Sequence, residues 1–251
     1  MRVLDLFSGI GGFSLGLERA GMRTVAFCEN ADYPRRVLAK HWPKVPIYGD
    51  IRELTAEQLQ ADGVGPIDII CGGFPCQDIS TAADAPAGLA GARSGLWREY
   101  ARLAGEVRPS FVIVENVSAL LANGMGDVLG DLAALGYDAE WHCIPAASIG
   151  APHPRDRVWI VAYSPEVQWK KQCRDQQGRL LQGNGSRTLI DDQRRRDSIS
   201  EWWTAEPSVG RLVHGVSARV DRLGCASNAV VPMIPEMIGR AIMACVETKT
   251  E

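Results

Sequence analysis

Long apolar runs are missing from this chain: none approaches the roughly 20 residues that a bilayer-spanning helix requires, so a helical membrane protein is excluded. Positive charge is not in excess either, with 27 Lys and Arg against 30 Asp and Glu and a formal charge of -3. That balance rules out a generally basic coat for nucleic acid and leaves only local patches to meet phosphate. Histidine is scarce, and neither a Cys-x-x-Cys pair nor a His cluster at zinc spacing occurs, so no metal site is expected. The seven cysteines, odd in number, read as reduced intracellular thiols with no disulfide. No repeat of fixed period is present. The opening residues Met1 to Asp5 already read as a strand, which leaves no room for a signal peptide and points to a soluble, cytoplasmic protein.

What is present suits one medium α/β domain with a small appendage, since 251 residues can bury a proper core. Val3 to Phe7 reads as a buried strand, followed by the glycine loop Ser8 to Gly12 and an amphipathic helix from Phe13 to Ala20 that Gly21 stops. Strand, glycine loop and helix in that order open many nucleotide sites, so a nicotinamide enzyme competes at this point. The next strand, Thr24 to Cys28, ends in Glu29, whose carboxylate can accept both hydroxyls of a ribose or simply face solvent. Asp50, at the third strand end, can accept from an adenine amino group or cap the helical segment Leu54 to Gln60.

Ile67 to Ser80 runs from a short apolar strand through Gly72 and Gly73 into Phe74-Pro75-Cys76, a corner whose backbone Pro75 fixes and whose glycines allow close approach. A thiol just past a strand's carboxyl end sits where open α/β sheets bind ligands, although buried cysteines often merely pack. A second strand, Phe111 to Val114, leads to Glu115-Asn116-Val117 and brings an acid to the same sheet edge. Arg155 and Arg157 lie two apart before the strand Val158 to Ala162. On an extended segment that spacing puts both guanidinium groups on one face.

Gly73-Phe-Pro-Cys-Gln77 followed by Glu115-Asn-Val117, with Phe7-Ser-Gly-Ile-Gly-Gly12 ahead of them, resembles the DNA cytosine-5 methyltransferases. The resemblance covers nearly the whole chain. It implies a doubly wound, Rossmann-like methyltransferase fold that binds S-adenosyl-L-methionine and carries a small target-recognition insert. Residues 1-163 would form the catalytic and cofactor domain, 164-207 the insert, and 208-251 the return segment and final helix. It assigns catalysis to Cys76, Glu115, Arg155 and Arg157: Cys76 as nucleophile, Glu115 on the N3 and amino edge of cytosine, Arg157 on its O2, and Arg155 organising the catalytic loop. Burial of Glu115 is expected to favour its protonated form.

Cofactor contacts would come from Phe7, Ser8, Gly9, Gly11, Gly12, Glu29, Asp50, Pro75, Leu96 and Asn228, and substrate contacts from Gln77, Ser80, Arg93 and Asn116. Asn30 replaces the usual apolar neighbour of Glu29, His153 stands where Gln is frequent, and Ser227 replaces a glycine. Thr81 to Gly95, poor in large side chains, reads as a loop that closes over the site, and Trp141 and His142 read as packing residues.

Double-stranded DNA is the implied partner, read by the Arg, Lys, Gln and Asn side chains of the insert. A monomer is expected, and the resemblance leaves room for a cognate restriction enzyme. The rivals are the same chemistry on tRNA, a catalytically silent DNA-binding relative and, more distantly, a dehydrogenase.

Overall fold

The computed structural model describes residues 1-75, 95-151, 155-167 and 228-247. Its strands are β1 (Arg2–Leu6), β2 (Arg23–Cys28), β3 (Ile47–Tyr48), β4 (Ile69–Gly72), β5 (Phe111–Val117), β6 (Asp138–Pro145) and β7 (Asp156–Tyr163). The helices are α1 (Gly12–Arg19), α2 (Asp32–His41), α3 (Ala56–Ala61), α4 (Gly95–Val107), α5 (Met125–Ala134) and α6 (Met233–Glu247). The strands join one sheet in the order β3-β2-β1-β4-β5-β7-β6. β1 through β5 pair in parallel, and β7 is antiparallel to both β5 and β6.

Both faces of the sheet are covered, which is why β1, β4 and β5 read as continuous apolar runs and not as alternating ones. On one face α1 and α6 bury Phe13, Leu17, Ile234, Ile238 and Ile242 against Val3, Ile69, Ile113 and Trp159. On the other, α4 and α5 bury Trp97, Tyr100, Leu103, Val128 and Leu132 against Leu4, Ile70, Val112 and Ile160. The order reverses between β1 and β4, and in open α/β sheets ligands bind beyond the carboxyl ends of strands at such a reversal.

Several expectations need correction. β5 does not stop at Val114 but runs to Val117, because β7 pairs with it along its full length and holds Glu115, Asn116 and Val117 in the ladder. The helix expected over Leu54 to Gln60 begins at Ala56, capped by Thr55, whose Oγ1 accepts from the Gln58 amide at 3.1 Å. Trp141, expected to pack, is 45% exposed on β6, the terminal strand of the sheet among the described residues. Cys245 in α6 is disulfide-bonded, against the expectation of reduced thiols, while Cys28, Cys71 and Cys143 are free. A bond of that kind depends on two sulfurs being close in space, which chain spacing does not reveal. Among the described residues no helix is long and apolar enough to cross a membrane.

Candidate active site

The loop between β1 and α1 owes its path to left-handed backbone at Phe7 (φ 50), Gly9 (φ 53) and Gly11 (φ 85). At Phe7 this conformation is strained for a side chain, and Phe7 keeps it while its ring stacks on Tyr100 at 6.4 Å. The glycines have different reasons to be glycine. A Cβ on Gly11 would lie 2.6 Å from the Trp42 ring, and one on Gly12 would lie 2.5 Å from the Val230 carbonyl. Of these three loop glycines, Gly9 alone has open space around it among the described residues, with none of their atoms within 4 Å of an added Cβ. Ser8, expected at the cofactor, is buried and donates its hydroxyl to the Asp5 carbonyl at 2.6 Å. It therefore shapes the loop from within.

Beneath the loop lies Asp5, fully buried in β1. One carboxyl oxygen accepts from the Ser14 hydroxyl at 2.7 Å and the Ser14 amide at 3.2 Å, and the Cys71 thiol of β4 lies beside the carboxyl group. Burial pushes its pKa up to about 8, because an ionised carboxylate without full hydration is costly. Glu29, at the end of β2, accepts from the Gly9 amide with Oε2 and from the Ala31 amide with Oε1, each at 2.8 Å. Each oxygen retains a second lone pair. Asp50 does not cap the helical segment, a task that falls to Thr55; its carboxylate, just beyond β3, accepts from the Arg52 amide and side chain at 3.0 Å. This pairing keeps its pKa below the usual carboxylate value.

Glu115 and Asn116, adjacent in β5, project to opposite faces, as strand residues must. Glu115 is 9% exposed, and its Oε1 meets the Arg157 Nε at 3.0 Å. The pairing of Val117 with Arg157 and of Glu115 with Trp159 sets those two side chains on one face of the β5/β7 ladder. A Cβ on Gly73 would come within 2.8 Å of Glu115 Oε2, so the carboxyl group occupies the room that the missing side chain leaves. Burial raises the Glu115 pKa, and the Arg157 and Arg155 guanidinium groups oppose that rise. Arg155 does influence Glu115, but not through the regular extended spacing expected: its φ is 31, outside the extended region. Burial, then the neighbouring Arg157, lowers the Arg155 pKa.

Asn116, expected to touch substrate, has a structural task in this fold. It is 3% exposed, its Nδ2 donates to the Phe74 carbonyl at 3.1 Å, and its Oδ1 accepts from the Val117 amide at 2.8 Å. It thus ties β5 to the corner that leads into Pro75. Phe74 packs on Trp97 at 5.3 Å, and Trp97 stacks on Tyr100 at 5.4 Å. The Trp97 indole donates to Asp131 of α5 at 2.8 Å. Through Tyr100 this aromatic row reaches Phe7, so both halves of the site rest on α4.

Pro75 and Leu96 are half-buried, and Asn228 is exposed ahead of α6. Cys76, Gln77, Ser80, Arg93, His153 and Ser227 lie outside the described residues, as do residues 81-94 and nearly all of the segment 164-207 expected to be the insert. Sequence reasoning missed the tie from Asn116 to Phe74 and the dependence of Glu115 on Gly73. No local pattern signals either, although the paired glycines at 72 and 73 hinted at a close approach. Among the described residues no group of three or more His, Cys, Asp or Glu side chains is disposed to hold a metal.

The model of the family described as C-5 cytosine-specific DNA methylase matches residues 1-205. The type II methyltransferase M2.BsuMI of Bacillus subtilis is 36% identical over 170 residues, covering 64% of this chain and 42% of that protein. M.NgoPII of Neisseria gonorrhoeae is 33% identical over 175 residues, covering 68% and 50%. The chain thus spans about half the length of the curated relatives it matches. Among solved structures, one described as a prophage-encoded DNA modification methyltransferase of E. coli superposes with a TM-score of 0.57 at 28% identity, over 67% of this chain and 48% of that one. Spodoptera frugiperda DNMT2 superposes with a TM-score of 0.56 at 19% identity, over 69% and 53%, a likeness of fold.

Proposed function

This chain belongs to the C-5 cytosine-specific DNA methylases, and we propose that it transfers a methyl group from S-adenosyl-L-methionine to C5 of a cytosine flipped out of double-stranded DNA. The observation that carries this reading is the Glu115 carboxyl group. It is buried, seated over Gly73 and paired with Arg157, on a strand that also fixes the Phe74 carbonyl two residues before Cys76. An acid and a cation thus meet at one sheet edge, on the strand that also fixes the segment leading to Cys76, and with the Cys76 thiol they make the set that a pyrimidine needs for addition at C6.

The residues present fit the cofactor. Gly9 borders open space, and the Glu29 oxygens, held by two amides, keep lone pairs free for ribose hydroxyls. Asp50 and Ile51 lie beyond β3, where the adenine end would rest, and Asn228 is exposed where the chain returns toward the loop at Gly12. When bound, S-adenosyl-L-methionine supplies an electrophilic methyl group.

The protein's own part is to make C5 nucleophilic. The Cys76 thiolate adds to C6, the ring electrons move toward N3, and Glu115 gives N3 a proton as charge develops. Burial, which raises the Glu115 pKa, works in favour of the protonated form that this step uses. Arg157 stabilises negative charge at O2 and, by pairing with Glu115, keeps the carboxyl aimed. After methyl transfer a base removes the C5 proton, the double bond re-forms, the thiolate leaves and N3 returns its proton to Glu115. Cys76 cannot approach C6 along the ring normal while the base is stacked, so the cytosine must leave the duplex.

The test is covalent capture. Purified protein with S-adenosyl-L-methionine is expected to form a denaturation-resistant adduct with a duplex carrying 5-fluorocytosine, because fluorine cannot leave C5 as a proton does. A Cys76→Ala variant should form none. Capture of RNA alone would reassign the substrate, and absence of any adduct with a protein that binds the cofactor would overturn the mechanism.

A further inference from the structure

We propose that Arg102 of α4 is a positioning residue for the adenine end of the cofactor, fixing the turn that carries Asp50 and Ile51. The inference rests on the cofactor reading above. β3 is only two residues long and pairs with β2 alone, so its ladder can do little to hold the chain beyond it. The turn closes on itself where the Asp50 carbonyl accepts from the Glu53 amide at 3.1 Å and the Leu54 amide at 3.2 Å, and α4 anchors it to the rest of the molecule. Arg102 Nη2 donates to the Ile51 carbonyl at 2.9 Å and to the Leu54 carbonyl at 3.0 Å.

The rest of the guanidinium is held by α4 itself. Nε meets Glu99 at 2.7 Å and Nη1 meets Glu106 at 2.6 Å, one turn away on either side. The second Glu106 oxygen accepts from the Ala56 amide at 3.1 Å, at the start of α3. Two acids therefore aim one planar cation at two carbonyls that bracket Arg52 and Glu53, and they pin the next helix as well. Ile51 and Leu54 are buried under the same helix, so the turn has an apolar anchor and a polar one. Without Arg102 the apolar anchor remains, but both carbonyls lose their shared donor and the Asp50 carboxylate loses its fixed platform. A lysine keeps the charge but lacks the fork that serves two carboxylates and two carbonyls together.

A residue that merely stabilised the fold would lower activity and binding together as protein unfolds. A positioning residue for the cofactor moves one constant selectively. Calorimetric titration with S-adenosylhomocysteine should show Arg102→Ala binding about tenfold more weakly than the unaltered protein. The KM for S-adenosyl-L-methionine should rise in parallel, kcat at saturating cofactor should stay within about twofold, and Arg102→Lys should fall between the two. Folded Arg102→Ala that binds S-adenosylhomocysteine as tightly as the unaltered protein would overturn the proposal, as would a fall in kcat with KM unchanged. Should the alanine variant fail to fold, the lysine variant decides by the same two constants. If the unaltered protein binds no S-adenosylhomocysteine, the cofactor reading itself fails and this inference falls with it; if it binds but captures no 5-fluorocytosine, only the reaction is wrong and the Arg102 comparison still decides.

Discussion

At the scale of single residues, the site depends on groups that do no chemistry. Gly73 is one: a methyl group there would meet the Glu115 carboxyl at 2.8 Å, and that carboxyl is already tied to Arg157. Gly73→Ala should therefore push Glu115 aside, lowering kcat by roughly a hundredfold, as misplacement by an ångström can, while S-adenosylhomocysteine affinity stays near normal. Steady-state kinetics beside calorimetry would check this, and an equal loss in both would argue for general disruption. Asp5 is another. Its pKa is about 8 in the folded protein against roughly 3.9 in an unfolded chain, so between those values the folded state holds a proton that the unfolded state has released. Stability should accordingly fall as pH rises from about 4 to about 8 and level off above. Glu115, also raised by burial, contributes in the same sense. Asp5→Asn should remove part of that slope, readable in melting temperatures measured across the range. A slope identical to that of the unaltered protein would count against the buried-acid assignment.

Among elements, two pairings decide the architecture of the site. Antiparallel β7 beside β5 brings Arg157 to Glu115, and α1 against α6 brings the segment before α6 over the glycine loop. The helix pair relies on small residues. Gly12 lies against the Val230 carbonyl, Gly16 against the Pro232 carbonyl and the Glu236 amide, and Gly239 against Ala20. In an isolated helix Gly16→Ala would stabilise by about 1 kcal/mol. Here the new methyl group meets backbone, which cannot swing away as a side chain can, and overpacking of this kind costs about 1–3 kcal/mol. The net expectation is destabilisation, measured by denaturant titration, together with weaker cofactor binding because the segment at Asn228 would shift. A stabilised variant would show that α1 and α6 are not packed this closely. The third organising element is α4, which supports Phe74 through Trp97, Phe7 through Tyr100 and the β3 turn through Arg102. Its sequence reads as an ordinary amphipathic helix, and only its neighbours reveal those three attachments.

In the whole molecule, the strand order turns back between the parallel strands β1 and β4, and the described residues assigned to cofactor and cytosine lie toward the carboxyl ends on either side of that point. The sequence by itself determined much of this. Continuous apolar runs identified β1, β2, β4 and the start of β5, the glycine loop marked the passage into α1, and the motifs around Cys76, Glu115 and Arg157 pointed to the family that the match over residues 1-205 supports. Those signals are local, because a strand buried on both faces must be apolar and a sharp turn must use glycine wherever the chain goes next. Only the tertiary structure decided that Asn116 holds the Phe74 carbonyl, that Asp50 is engaged by Arg52, that Gly73 makes room for Glu115 and that Trp141 lies open on an edge. Periodicity tells which face a side chain takes, but its neighbour across that face depends on strand order and register, which are set by contacts between segments far apart in the chain.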